Sequence, residues 1–562
     1  MGFIVYNVVT MFVDDSKFTR NGKTYRRVLL RNSYRTNGKV CHDTIANLSK
    51  CSNEEIQAIK IALKHRDELA YLGNLRKDVK SQQGLAVGAV WVLYQLAKRL
   101  GITNALGKTR EATLALWLVF ATVIKQGSRL SAVRLAQQHA ACDILDLDEF
   151  NEDDLYEVLD WLSEHQNAIE DKLFAHRYVK PGQIPTLYLY DVTSSYFEGE
   201  KNELAEYGYN RYGKKGKKQI VIGLMTDEEG WPICVEVFEG NTQDPQTVKS
   251  QIDKLAKRFG VKKVTLVGDR GMLKSAQLAE LAEEDFHFIT AITKPQIESL
   301  IKKDIFQLEM FDNTLVEVEA ANIRYILRRN PIRAAEIDAT RKSKLKRLNK
   351  LIDQQNVYLV EHPRAHVSTA VKKVQRKAAG LKIDSWVEIQ ADKRILAAEA
   401  NEDNIMEISR LDGCYVIKSD LPPQLAPTKT VHDRYKGLAE VEFAFRTMKT
   451  TLLEMRGIFV RKANRTRAHV FVIMLAYSLA YQLRRLWFDV ELTVEEGINE
   501  LASICAIELT MHNQVTCQII PNPRPLGQLL LEKTNITLPD VIPHKDVTVD
   551  TRKKLISERK SI

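Results

Sequence analysis

Cysteine is scarce in this chain of 562 residues. The seven thiols (Cys41, Cys51, Cys142, Cys234, Cys414, Cys505 and Cys517) are scattered, odd in number and without a Cys-x-x-Cys pair. That pattern offers no zinc site and predicts buried thiols in a reducing cytoplasm. Long apolar runs are missing too. The longest, Val470 to Tyr481, is too short for a membrane span of about 20 residues and follows a basic segment, so a buried helix is expected and no membrane contact. Met1-Gly-Phe-Ile-Val-Tyr6 carries no basic leader or small-residue cleavage site before Asp14-Asp15, which argues against a signal peptide. An acidic balance is also absent. Lys and Arg outnumber Asp and Glu by 82 to 72, a net charge of +10 that leans modestly toward polyanionic partners. With 44% hydrophobic and 27% charged residues the composition is that of ordinary globular chains, and the length implies several domains.

Residues 1–50 hold short β-prone runs, such as Tyr25 to Leu30, separated by Asn-Gly turns at 21–22 and 37–38, which predicts a small β-rich unit. From 51 to 180 the apolar period becomes helical, with Gly101 and Gly107 as punctuation, so a helical domain with a possible DNA-binding role is expected. Beyond the linker Pro181 to Pro185, residues 185–293 read as an α/β core. Leu187-Tyr-Leu-Tyr-Asp191, Gln219–Met225, Ile233–Phe238 and Val264–Gly268 are candidate strands, with helices near Val248–Phe259 and Ser275–Glu284. Short β runs around the basic stretch Arg341 to Lys350 make 294–426 an inserted, β-containing domain. Helix resumes over 427–487, and in a C-terminal extension, 488–562, Thr493-Val-Glu-Glu496 predicts a capping box.

Two carboxylates stand out chemically. Asp191 lies in an otherwise apolar strand, where a lone acid is costly unless paired, hydrogen-bonded or bound to a metal. Asp269 ends another strand just where the chain must turn. Each taken alone is equally a turn or cap aspartate. Downstream, Tyr435, Leu438, Glu442, Phe445 and Lys449 recur at steps of 3, 4, 3 and 4 and are expected on one helix face, whereas Glu440 lies roughly 200° away from Glu442. Two acids on strand ends and a third on a helix suit a pair of hard divalent cations. Such ions, about 4 Å apart, promote in-line displacement at phosphorus. Asp191, Asp269 and Glu442 are the candidate catalytic and metal-binding residues.

The segment Tyr435-Lys-Gly-Leu438-Ala-Glu-Val-Glu442-Phe-Ala-Phe-Arg-Thr-Met-Lys449 resembles the Tyr-x2-Arg-x3-Glu-x6-Lys motif of insertion-sequence DDE transposases. Leu187 to Phe197 and Val267-Gly-Asp269-Arg-Gly-Met272 resemble that family's two aspartate segments, and Gly230-Trp-Pro232 and Glu239 to Asp244 further family positions. The likeness extends from about Leu187 to Leu483. It implies a ribonuclease H-like core interrupted by the insertion, two Mg2+ or Mn2+ ions, and cleavage of double-stranded DNA at element ends with strand transfer into a target. A homodimer in the DNA complex, no nucleotide cofactor and a bacterial cytoplasmic location are implied as well. Tyr435 and Lys449 inherit phosphate contacts from the family. Leu438 replaces the motif arginine, so Arg434, Lys436 or Arg446 must supply that cation. Two other classes share much of this signature: a ribonuclease H-like nuclease without strand transfer, and an inactive DNA-binding relative.

Tyr207 to Lys218 interleaves tyrosines with Arg211, Lys214, Lys215, Lys217 and Lys218 beside the first aspartate, a composition suited to a phosphate backbone. Gly208 to Lys214 opens like a P-loop, but Lys215 stands where Ser or Thr is needed and a strand follows, which excludes an ATPase. Arg341 to Lys350 is either a DNA contact or a solvated helix face. The stretch with Arg461, Lys462, Arg465 and Arg467 is expected along the DNA path. Trp386 lies where related transposases hold a flipped base, though a core tryptophan is the simpler expectation.

Overall fold

The structure is a computed structural model and describes residues 10–36, 39–66, 79–178, 184–197, 201–208, 216–449, 453, 460–511, 514–542, 545, 547, 549 and 551. It divides into two compact units, one of Met1–Gly84 with Ala506–Pro521, the other of Leu85–Cys505 with Asn522–Ile562.

In the first unit β1 (Thr10–Arg20), β2 (Lys23–Thr36) and β3 (Lys39–Asn47) form an antiparallel meander. Asn21 and Gly22, at φ of 51° and 72°, make the tight first turn; the Asn-Gly expected at the second turn lies outside the described residues. Helix Asn53–Lys64 opens with a capping box between Ser52 and Glu55, and Ile56 joins Val28 and Leu48 in a small core. The helical pattern expected over 51–180 is interrupted by β4 (Val79–Ala86), which sheets with Cys505–Met511 and Gln514–Ile519. That strand depends on partners more than 400 residues away, so local periodicity gives no sign of it.

The larger unit centres on a sheet ordered β10-β11-β14-β9-β8-β5-β6-β7. Its strands are β5 (Leu187–Tyr196), β6 (Gln219–Asp227), β7 (Pro232–Phe238), β8 (Thr265–Gly268), β9 (His287–Ala291), β10 (Val316–Ala320) and β11 (Ile323–Arg329); β12 (Val387–Asp392) and β13 (Ile395–Ala400) pair apart from it, and β14 (Cys414–Ser419) returns to it. β5, β6 and β7 run antiparallel, β8 is parallel to β5 and β9 parallel to β8. Every residue of β6 is buried, which is why its sequence reads as a continuous apolar run. Tyr188, Tyr190 and Val192 of β5 enter the core on one face with Leu266 and Phe288.

Helix Ala463–Leu486 packs against β7 and against helices Arg110–Ile124 and Glu152–Arg177. Each of its residues from Val470 to Tyr481 is buried, and no described helix is long and apolar enough to cross a membrane. The capping box expected at Thr493 opens helix Val494–Ala502.

The stretch expected as one insertion, 294–426, is divided. β10, β11 and β14 extend the main sheet, because their edges find backbone partners there. A separate core forms only from helices Pro331–Glu361 and Val367–Leu381 and the hairpin β12–β13, around Leu348, Ile352, Val374 and Trp386. Trp386 is a core residue, 4% exposed. Within the basic run Lys342, Lys346, Arg347 and Lys350 are solvated, but Arg341 turns inward to Asp412 at 2.5 Å, with Lys294 on the other oxygen at 3.4 Å. Three cysteines (Cys142, Cys234, Cys414) are buried and three (Cys41, Cys51, Cys505) only half-buried, which corrects the expectation of uniformly buried thiols.

Asp412 is 4% exposed and pins the helix Pro331–Glu361 to the sheet. Removing its charge in Asp412→Asn leaves Arg341 with the more exposed Asp338 at 3.5 Å, and denaturant titration is expected to show a loss of about 3 kcal/mol; an unchanged midpoint contradicts the clamp.

Candidate active site

Parallel pairing of β5 and β8 runs through Leu187↔Thr265, Tyr188↔Leu266, Leu189↔Val267 and Tyr190↔Gly268. Asp191 and Asp269 are next in line, one still inside β5 and one just past the end of β8. Strand alternation turns Asp191 away from the Tyr188–Tyr190–Val192 core, onto the face of Leu189 and Thr193. Asp191 is half-buried and Asp269 exposed. Gly271, at φ of 81°, lets the chain turn back after Asp269.

The expected single helix carrying Tyr435 through Lys449 is in fact two, Thr428–Lys436 and Leu438–Lys449, which meet at Gly437. Gly437 marks the break: its N–H caps the first helix on Asp433 and Arg434, and a Cβ there would crowd the Arg434 carbonyl oxygen at 3.0 Å. The buried face of the second helix is Leu438, Val441, Phe445 and Met448, and Glu442 sits exposed at its margin. Glu440 goes elsewhere. A Cβ on Gly230, in the β6–β7 turn at φ of 84°, would lie 2.9 Å from the Glu440 Cβ, and Glu440 also influences the buried Tyr477 electrostatically.

Tyr435 ties the acids together. Its hydroxyl donates to Asp269 Oδ1 at 3.5 Å, and its pKa is raised by burial first, then by the charge of Asp269, with Glu442 a smaller contributor. Among the described residues neither Asp269 nor Glu442 forms an ion pair, and no three Asp, Glu, His or Cys side chains already converge closely enough to hold a metal ion. The donor chemistry nevertheless fits hard cations: every candidate ligand is a carboxylate, two are borne by neighbouring strands, and the third acts on the same tyrosine as Asp269.

Lys449, expected to touch DNA, is 6% exposed and donates to Thr193 Oγ1, two residues beyond Asp191 on the same strand face. Strand alternation was the only signal that could have found Thr193. Leu438, in place of the motif arginine, is buried and presents nothing to a phosphate. Arg446 is exposed on the Glu442 helix. Lys217 is exposed and Lys218 lies 3.8 Å from Glu206, while Arg211, Lys214 and Lys215 fall outside the described residues. A feature that sequence reasoning missed is a cavity of about 490 Å³ beside Tyr435, lined by Arg270, Lys294, Arg333 and Lys436. Its cations come from four distant segments, so no motif announces it. Of the later basic stretch, Arg461, Lys462 and Arg467 are exposed, but Arg465 is bound to Asp160 at 2.6 Å.

A family model described as the transposase DDE domain matches residues 182–479, and one described as the N-terminal domain of IS1634 family transposases matches residues 14–75. No curated protein matches the chain. Among solved structures the chain is similar to piggyBac transposase in a synaptic complex with hairpin DNA, at 11% identity and a TM-score of 0.35, over 75% of this chain and 82% of that one. At that distance the likeness carries no argument.

Thr193→Val keeps the shape of strand β5 but removes a hydrogen bond to a buried ammonium group. A stability loss of about 1.5–3 kcal/mol is expected by chemical denaturation; a loss below about 0.5 kcal/mol, the scale of a surface substitution, contradicts the contact.

Proposed function

Since the chain belongs to the DDE transposases, whose domain model covers more than half of its length, we propose that Asp191, Asp269 and Glu442 are the catalytic carboxylates of a DNA transposase of the insertion-sequence type. The family's reaction is DNA cleavage and strand transfer, and it uses divalent metal ions. The observation that carries the residue assignment is the register of β5 and β8, which sets Asp191 and Asp269 side by side, with Tyr435 in reach of Asp269 and of the charge on Glu442.

In this reading the strand order β7-β6-β5-β8-β9, antiparallel in its first three strands and parallel from β5 onward, supports a ribonuclease H-like core. The separate cluster around Leu348 and Trp386 is its insertion. The three carboxylates would hold two Mg2+ or Mn2+ ions, which would supply activation of the attacking oxygen and stabilisation of the leaving one. Tyr435, its phenol held protonated by burial and by Asp269, is a neutral donor for a phosphate oxygen near the cut. Lys449 acts through Thr193 by fixing the strand that bears Asp191. Arg446, Lys217 and Lys218, with Arg211, Lys214 and Lys215 of the same loop, contact the backbone of element-end and target DNA. The cations Arg270, Lys294, Arg333 and Lys436 extend that path beside Tyr435. The active assembly is a homodimer on paired DNA ends, working in a bacterial cytoplasm.

With DNA carrying the element's ends, a target plasmid and Mg2+, the variants Asp191→Asn, Asp269→Asn and Glu442→Gln are each expected to lose cleavage and joining while DNA binding persists. The loss should exceed the roughly 100-fold that removing an outer-shell partner costs. Glu440→Gln should stay near the parent rate. Loss of activity in Glu440→Gln with retention in Glu442→Gln reverses the assignment, and cleavage without joining in the parent points to a nuclease.

A further inference from the structure

Helix Arg129–Ala136 begins on a buried cation. Arg129 is 9% exposed, yet no acidic side chain pairs with it among the described residues. Its one hydrogen bond runs from Nη2 to His469 Nδ1 at 2.9 Å. A guanidinium has only donors, so the imidazole nitrogen is the acceptor and His469 is neutral. In agreement, desolvation and then the Arg129 charge push His469 down to about 3. The pairing therefore supplies a dipole and no counter-charge. Burial alone depresses the pKa of Arg129, and the only neighbour acting against that is the phenol of Tyr156.

One of its remaining donors is idle: Arg129 Nε is buried without a partner. So is an acceptor three residues earlier, Gln126 Oε1. The carboxylate on that flank is already matched, since Arg465, one turn before His469 on the same helix, takes both oxygens of Asp160 at 2.6–3.0 Å. A water molecule satisfies a stray donor and acceptor but brings no charge. An isolated buried guanidinium is unfavourable unless an anion offsets it. The segments that meet here are themselves cationic and open, with Lys125 on one and Lys462 and Arg467 on the other all exposed.

We infer that Arg129 is an oxyanion site, and that its occupant is a phosphate group of the DNA backbone. The second half rests on the DNA transposase reading; the first does not. Arginine presents paired N–H donors in a planar fork that suits a phosphate, and the idle Nε is one tine of that fork. The site belongs to the helical part of the larger unit, and it gives that part a DNA contact of its own.

The test compares the full-length parent, Arg129→Met and Arg129→Lys. Each is melted in chloride and in inorganic phosphate at equal ionic strength, then titrated with element-end duplex across a salt series. In chloride Arg129→Met should melt no lower than the parent, because it removes an uncompensated charge. Phosphate should raise the melting temperature of the parent, raise that of Arg129→Lys less, and leave Arg129→Met unmoved. With DNA, Arg129→Met should lose about 10-fold in affinity and reduce the salt slope by about one. If Arg129→Met melts lower in chloride and responds to phosphate as the parent does, Arg129 is a structural donor to His469 and the inference is overturned. Loss of the phosphate response with an unchanged salt slope upholds the oxyanion site and overturns its assignment to the backbone. A parent that fails to bind DNA refutes the transposase reading, while the phosphate melts still decide Arg129.

Discussion

Like charges resist being brought together, and the arrangement of this protein turns on that constraint. β5 and β8 deliver Asp191 and Asp269 to adjoining positions on one sheet, where two like charges call for a counter-charge. Asp269 receives the long hydrogen bond from Tyr435 and has no ion pair among the described residues. In the proposed reading divalent cations would supply the counter-charge, and they are also what phosphoryl transfer needs. Strands give the aspartates a rigid and shared base, and a helix laid across the same face brings Glu442 without requiring a loop to hold it.

That helix is tied to the same strand, since its last residue, Lys449, reaches Thr193, so β5 carries both Asp191 and an anchor of the Glu442 helix. Further out, helix Ala463–Leu486 passes between β7 and the helices Arg110–Ile124 and Glu152–Arg177. Through it the helical part and the sheet share one apolar core. Arg129 sits against this same helix through His469.

Much of this was legible in the sequence, for identifiable reasons. Asp191 and Asp269 stood out because an acid in an apolar strand has a cost that function must justify, and the strands of the core were readable because burial on both faces leaves an unbroken apolar run. The capping box at Thr493 is local chemistry and shows as such. The break at Gly437 was hidden, because the spacing from Tyr435 to Lys449 suits one helix. Sheet membership of β10, β11 and β14 was hidden for a similar reason: a short run reveals a strand but not its neighbour. The inward turn of Arg341 was masked by the solvated charges around it. The burial of Lys449 was hidden because its partner Thr193 lies 256 residues away.

The most direct test of the central claim is a structure of the chain bound to element-end DNA and Mn2+, with the metal located by its anomalous scattering. Two peaks bounded by Asp191, Asp269 and Glu442, with Glu440 still turned toward Gly230, are the expected result. Peaks that exclude Glu442, or a metal held by Glu440, contradict the account.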